Sequence, residues 1–343
     1  MGQYILRRSL QAIPLLILIT IIVFVLLKTA GDPLAYLAND PTVSPEDKIA
    51  LRRSLGLDDP IPLQFIYWLI GDDFVIRDID LDGESETPGT RRGILRGDFG
   101  ESIRFNRPVT SVIGEFLPRT LLLGITSTLV TIIFGLAIGI FAALRQYSLA
   151  DNVITTVAFI TYSFPIFLIA LLSVFIFAVS FKKWGLPYLP VQGMYDVRGQ
   201  QTLIELARHM VLPVFCLSAI SIARYSRFTR AAMLEVINSD YVRTARAKGL
   251  GERRIIYIHA LKNASLPLIT LIGLDIPFIL SGAVVTETIF SWPGMGRLFI
   301  ESLNNLDAPI LIIFVLITAV AVVVFQLLTD ITYAWADPRI RYD

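Results

Sequence analysis

Cysteine, histidine and charge are what this chain of 343 residues has least of. The single cysteine, Cys216, excludes an internal disulfide and any multi-cysteine metal or redox centre. The two histidines, His209 and His259, lie far apart and form no metal-ligand pair by spacing. Charged residues make up 17% of the chain, against about 25% in soluble domains. Thirty Lys and Arg against 29 Asp and Glu leave a net charge of +1, which argues against a nucleic-acid binder working by bulk charge. Gly249-Leu250-Gly251 and Gly294-Met295-Gly296 have no following Lys-Ser/Thr, so neither is a phosphate loop. No His-Glu-x-x-His or Gly-x-Ser-x-Gly occurs, and no catalytic or metal centre is expected.

What the chain has is apolar length. Hydrophobic residues are 54% of it. Segments 10–27, 121–144, 153–180 and 310–329 carry no charge, and each can cross a hydrocarbon core, which needs about 20 mostly apolar residues. Segment 266–286 is similar but contains Asp275. Segment 210–223 reaches spanning length by drawing in 203–209 with Glu205 and Arg208. Barrel strands would alternate apolar and polar residues, and these runs do not. The expectation is an all-α integral membrane protein with six transmembrane helices. The first run is longer than a signal-peptide core and ends without a small-x-small cleavage site, so it is read as a retained helix. Pro14, Pro165, Pro213, Pro267 and Pro277 fall inside spans, where they kink helices and suggest a transporter.

Basic residues set the orientation. Arg7, Arg8, Arg145, the cations of 224–262, Arg339 and Arg341 form one set. The other side's short segments hold only Lys182, Lys183, Arg198, Arg208 and Arg297. Both termini are therefore expected in the cytoplasm. The organisation reads as an N-terminal helix (1–30), an external region (31–116), a five-helix core (117–336) and a cytoplasmic tail (337–343). The external region predicts one helix over 46–57. Its acidic stretch 71–96 opens like a calcium loop at Asp78, Asp80 and Asp82, but Gly89 stands where the final Glu ligand belongs, and a solvated loop is expected.

The inner segment, 224–262, reads Ser239-Asp240-Tyr241-Val242-Arg243-Thr244-Ala245-Arg246-Ala247-Lys248-Gly249-Leu250-Gly251. Asp240 is expected to cap a helix with Val242, Ala245 and Gly249 on its apolar face. Gly249 and Gly251 are expected to supply left-handed backbone for the turn, and a second helix over 252–260 leads into the fifth span. Such a short helix with a small-residue face suits a groove on another protein. On charge alone, a solvated basic loop is the rival reading.

In this order the pieces resemble the permease subunits of ATP-binding-cassette importers, specifically the peptide/nickel branch, over about 1–30 and 96–343. They are Tyr4-Ile5-Leu6-Arg7-Arg8, Gly97-Asp98-Phe99-Gly100-Glu101-Ser102, Arg107-Pro108-Val109, Leu117-Pro118-Arg119-Thr120-Leu121, the inner segment, and Glu287-Thr288-Ile289-Phe290-Ser291-Trp292-Pro293-Gly294-Met295-Gly296. The family's general inner motif, Glu-Ala-Ala through Gly to Ile-x-Leu-Pro, falls on Arg243-Thr244-Ala245, Gly249 and His259-Ala260-Leu261-Lys262. Its Glu and final Pro are absent here, so no contact of that Glu is carried over.

The resemblance implies a type I importer permease fold with a coupling helix made of Asp240, Tyr241, Arg243, Thr244, Ala245, Ala247, Lys248, Gly249, Leu250 and Gly251. It implies a second homologous permease, two ATPase subunits that bind ATP and Mg, and an external substrate-binding protein facing the outer loop and 286–309. The cargo would be a di- or oligopeptide, with a nickel complex, glutathione or an oligosaccharide left open. Asp275, alone in its span, faces the translocation path, is protonated, or bonds to Ser or Thr of a neighbouring helix. Glu287 and Asp330 read as interfacial, His209 and His259 as interface residues, and Cys216 as packing. An ion-coupled carrier would want several paired intramembrane charges and internal repeats, and neither is legible. A membrane enzyme would need a nucleophile, base or metal.

Overall fold

A computed structural model describes residues 2–31, 34, 44–79, 87–265, 268–269, 271–273, 275 and 283–336. Among these, five helices are long and apolar enough to cross a membrane: Ile5–Thr29, Val109–Leu144, Ile166–Lys183, Leu203–Ile237 and Ala308–Thr332. Much of the expected fifth span, 266–286, lies outside the described residues, together with Pro267, Pro277 and the tail 337–343. The chain divides into two compact units, Ser9–Phe116 with Leu298–Val320, and Met1–Arg8 with Leu117–Arg297 and Ala321–Asp343.

Helix α1 (Gly2–Ala30), which contains Pro14, enters the first of these units at Ser9. Helix α2 (Pro45–Ser54) starts at a capping box, in which Asp47 N donates to Ser44 Oγ at 3.0 Å and Ser44 N to the Asp47 carboxylate at 3.3 Å. It ends at Ser54, short of the predicted 57, where the backbone turns at Gly56. Helix α3 (Ile61–Ile70) was not anticipated. Its Phe65 and Trp68 pack on Phe24 at ring-centroid distances of 5.4 and 5.8 Å. Residues 71–79 and 87–96 fold around the buried Asp72, which accepts Arg77 Nη1 and Arg91 N, each at 2.9 Å, beside the paired strands β1 (Ile76–Arg77) and β2 (Thr87–Pro88). Asp80 and Asp82 lie outside the described residues. A second hairpin, β3 (Glu101–Ser102) with β4 (Arg107–Pro108), leads straight into α4 (Val109–Leu144). The second spanning helix therefore starts well before 117 and takes in Pro118. Ser102 Oγ donates to the buried Asp307 at 2.5 Å.

In the other unit the predicted third span, 153–180, is not one helix. Helix α5 (Leu149–Ser163) stops, Phe164 and Pro165 are extended, and α6 (Ile166–Ser173) continues through a π-helical stretch, Val174–Ser180, into α7 (Phe181–Lys183). Proline lacks an N–H and disfavours helical geometry in the residue before it, which accounts for the break. Both α5 and α6 pack on α8 (Leu203–Ile237), whose start is capped by Thr202. The inner segment expected to begin at Arg224 begins only after Ile237, because Arg224, Arg227 and Arg230 are all helical residues of α8.

Close approach to α4 is possible because α4 carries Gly135 and Gly139 four residues apart. A Cβ on Gly139 would lie 2.5 Å from Thr229 Cβ, so a larger residue there forces the helices apart. Cys216 is fully buried with Ile169, Ala170, Leu212 and Phe290, a packing role as expected. After α8 come α9 (Asp240–Ala247), α10 (Glu252–Arg254), a π-helical stretch Ile255–Ala260 and α11 (Leu261–Ala264). Then follow α12 (Val284–Ile289), α13 (Met295–Asn304) and α14 (Ala308–Ala336), the last with Asp330 paired to Arg8 at 3.3 Å.

The strongest polar clamp in this unit joins α5 to α8. Asp151, 1% exposed, accepts Arg230 Nε at 2.6 Å and Nη2 at 2.7 Å, and also Tyr147 N at 2.9 Å. Hydrogen bonding from Arg230 holds its carboxyl below the ordinary carboxylate range. Asp151→Asn leaves the guanidinium without its counter-charge and is expected to cost about 3 kcal/mol. A carboxyl with a depressed folded pKa contributes above its unfolded value and loses that contribution as pH falls through the folded one. The gap in thermal midpoint between wild type and Asp151→Asn should thus be full at pH 7 and shrink below about pH 4.

Candidate functional site

A cavity of about 490 Å³ lies among α4, α6, α8 and the start of α12, with Thr120, Ser127, Thr131, Arg224, Asp275 and Glu287 on its wall. Asp275 is paired there. Its Oδ2 accepts from Arg224 Nη2 and from the Tyr225 hydroxyl, the latter at 3.0 Å. Both charged side chains remain partly exposed, 32% for Arg224 and 26% for Asp275. An ionised carboxylate in an apolar setting is costly unless paired, and α8 supplies the pair. The neighbouring helix thus bonds Asp275 through a cation and a phenol, not the expected Ser or Thr, in a position that also faces the cavity.

Glu287, expected to be interfacial, is 1% exposed. It accepts Thr120 Oγ1 at 2.9 Å, Gly296 N at 2.7 Å and Arg297 N at 3.1 Å. Thr120 Oγ1 in turn accepts Met295 N at 2.6 Å, and buried Trp292 donates its indole N–H to Arg119 O at 3.0 Å. The carboxylate therefore sits at the N-terminus of α13, where free N–H groups and the helix dipole favour negative charge. The Leu117–Leu121 and Glu287–Gly296 runs, distant in sequence, form one hydrogen-bonded collar.

Helix α9 and the turn after it correct four expectations. Ser239, not Asp240, is the residue before the first turn; its hydroxyl donates back to Val236 O at 2.6 Å, and Asp240 is exposed beside Arg243 at 3.8 Å. Val242 and Ala245 are buried against Ile255, with Val236 and Leu250 around them, so the small-residue face packs on the chain itself. Gly249 lies off that face and is exposed, with a left-handed φ of 75°, whereas Gly251 has φ −66° and starts α10 in extended geometry. A Cβ on Gly249 would touch nothing, so the requirement for glycine there is purely conformational. Arg246 pairs with Glu252 at 2.8 Å, and Asn263 Nδ2 donates to the Tyr241 hydroxyl at 2.9 Å. The exposed residues of 240–249 are Asp240, Tyr241, Arg243, Thr244, Arg246, Ala247, Lys248 and Gly249. His259, on the neighbouring π-helical stretch, is half-buried, while His209 is buried.

Arg224 was not recognised as Asp275's partner, because a charge count places it on the inner flank. The Gly135-x-x-x-Gly139 spacing was a legible sign of close helix packing.

Two family models cover nearly the whole chain. Residues 1–124 match the N-terminal part of binding-protein-dependent transport system membrane components, and 135–342 match the inner membrane component of such systems. The chain belongs to this family. Its members are membrane permease subunits of ATP-binding-cassette transporters, multi-pass proteins of the inner membrane. Among relatives, an oligopeptide transport system permease protein (AppB) of Bacillus subtilis is 39% identical, with 100% of each chain covered. A dipeptide transport system permease protein (DppB) of Escherichia coli is 36% identical, covering 100% of this chain and 99% of the relative. A di/tripeptide permease of Pseudomonas aeruginosa is 34% identical over the same shares. The ion-coupled carrier is not favoured by any of these matches.

If Arg224 and Asp275 depend on each other, Asp275→Asn and Arg224→Gln should each lower the thermal midpoint. The double variant should be less damaged than their sum, by a coupling energy of about 1 kcal/mol for this partly exposed pair. Additive losses would show that the two side chains stand independently.

Proposed function

We propose that this permease forms half of the translocation path of an importer for di- or oligopeptides. The observation that carries the reading is the paired Arg224 and Asp275 on a hydroxyl-lined cavity wall. A short peptide carries a carboxylate and an ammonium at its ends. A wall holding both signs as a neutralised pair can exchange partners with each end without leaving a buried charge unpaired. The names of the full-length relatives point to the same cargo. An oligosaccharide offers no such charges.

The working assembly in this reading contains a second homologous permease, two ATPase subunits that bind ATP and Mg, and an external binding protein, with both termini of this chain in the cytoplasm. The chain's own part is mechanical. Helix α9 presents Tyr241, Arg243, Thr244, Ala247 and Lys248 to the ATPase. Its other face is locked through Val242 and Ala245 to Ile255, at the head of the π-helical stretch that leads into α11. Displacement of α9 when the ATPases close is thereby passed to the following helix as a rigid-body shift. ATP biases the equilibrium only through contacts that differ between the two states.

Reversing charge on the outward face, with Arg243→Glu and Lys248→Glu together, is expected to cut ATP-dependent dipeptide uptake at least tenfold while membrane insertion stays normal. Gly249→Asp should act in the same direction, since a left-handed non-glycine residue costs about 1–2 kcal/mol. Uptake of labelled dipeptide by cells carrying each variant, with membrane levels measured by immunoblot, is the check. Normal uptake in both variants would contradict the coupling role, and competition by oligosaccharide instead of peptide would contradict the cargo.

A further inference from the structure

We propose that His209, Asp196 and Glu205 form a binding site for a divalent transition-metal ion of the zinc class. Glu205 and His209 stand four residues apart in the first turns of α8, on one face of the helix. The loop before α8 brings Asp196 to the same point, and one ligand atom from each of the three residues lies within 4.8 Å of the others.

His209 is 2% exposed, and its Nδ1 lies 3.1 Å from Gly193 O. A carbonyl only accepts, so Nδ1 carries a proton, and a neutral ring then has its lone pair at Nε2. That Nε2 is buried without a hydrogen-bond partner and faces an Asp196 carboxylate oxygen at 3.6 Å. Two acceptors aimed at each other repel unless a cation lies between them. A shared proton fits poorly, because an N–H···O bond spans about 2.7–3.2 Å. A tetrahedral ion with bonds of about 2.0–2.1 Å holds its ligand atoms about 3.4 Å apart, close to the observed separation.

One imidazole with two carboxylates suits zinc and its neighbours better than magnesium or calcium, which take all-oxygen shells. Anchoring of the far ring nitrogen on a backbone carbonyl is the usual support for a metal-bound histidine. The Asp196 side chain is 74% exposed, so an ion has a route in and the carboxylate can turn to meet it. Glu205 Oε1 also accepts Asp196 N at 2.7 Å, and Gly193 N donates to Phe290 O at 2.9 Å. A bound ion would therefore fasten this loop both to α8 and to the segment that carries Trp292.

The test is Zn²⁺ alone, titrated into the tag-free full-length protein in detergent at pH 7.5, in competition with a chromophoric chelator. One ion per chain is expected, with Asp196→Asn weakening binding at least tenfold and His209→Gln removing it. His209 is buried and its replacement risks misfolding, so Asp196→Asn, altering an exposed side chain, is decisive once its metal-free melting curve matches wild type. Binding of no zinc by wild type, or equal binding by wild type and Asp196→Asn, would overturn the site.

Discussion

The cost of holding charge in an apolar setting shapes the larger helical unit, and α8 is where that cost is met. Along its length it supplies Arg230 to the buried Asp151 and Arg224 with Tyr225 to Asp275. Its apolar residues Leu212, Cys216, Met210, Val214 and Met233 pack into three separate clusters with α4, α6, the Trp292 segment and the π-helical stretch after α9. Removal of Arg230 would leave the buried Asp151 without its counter-charge, and removal of Arg224 would leave the partly exposed Asp275 without its own. That dependence ties the wall of the cavity to the packing of the unit as a whole.

The Glu287 turn and helix α9 are each held in place by contacts within the chain. The collar around Glu287 uses a buried carboxylate, a threonine and two backbone N–H groups to fix a non-helical turn against α4. Helix α9 is too short to be stable alone. It is kept by burial of Val242 and Ala245 and by links from Arg246 and Tyr241 to the segment that follows.

Much of this was legible in the sequence, and the failures have physical causes. Uncharged runs located the spanning helices, since hydrocarbon leaves the backbone no alternative to helix. Their ends were misjudged where charged residues remain helical: Arg224, Arg227 and Arg230 look like a loop to a hydropathy reading but are tolerated in α8, two of them because Asp275 and Asp151 face them. The break at Pro165 was read as a kink within one span, because composition alone does not say whether a proline bends a helix or ends it. For α9, spacing identified the buried pair Val242 and Ala245 but not which partner buries it. Glu287 read as interfacial because one of its donors, Thr120, lies far away in sequence and the other two come from a turn that hydropathy does not reveal. The grouping of His209 with Asp196 and Glu205 was equally hidden, since a loop conformation creates it.

The central claim is that this permease moves peptide only when driven by ATP hydrolysed on partner subunits. The most direct measurement is uptake of labelled dipeptide into proteoliposomes holding the complex purified through this chain. ATP and Mg are enclosed, and the external binding protein is added outside. The account predicts uptake that requires enclosed ATP and stops with a non-hydrolysable analogue. Uptake by this chain alone, driven by an ion gradient and indifferent to ATP, would contradict it.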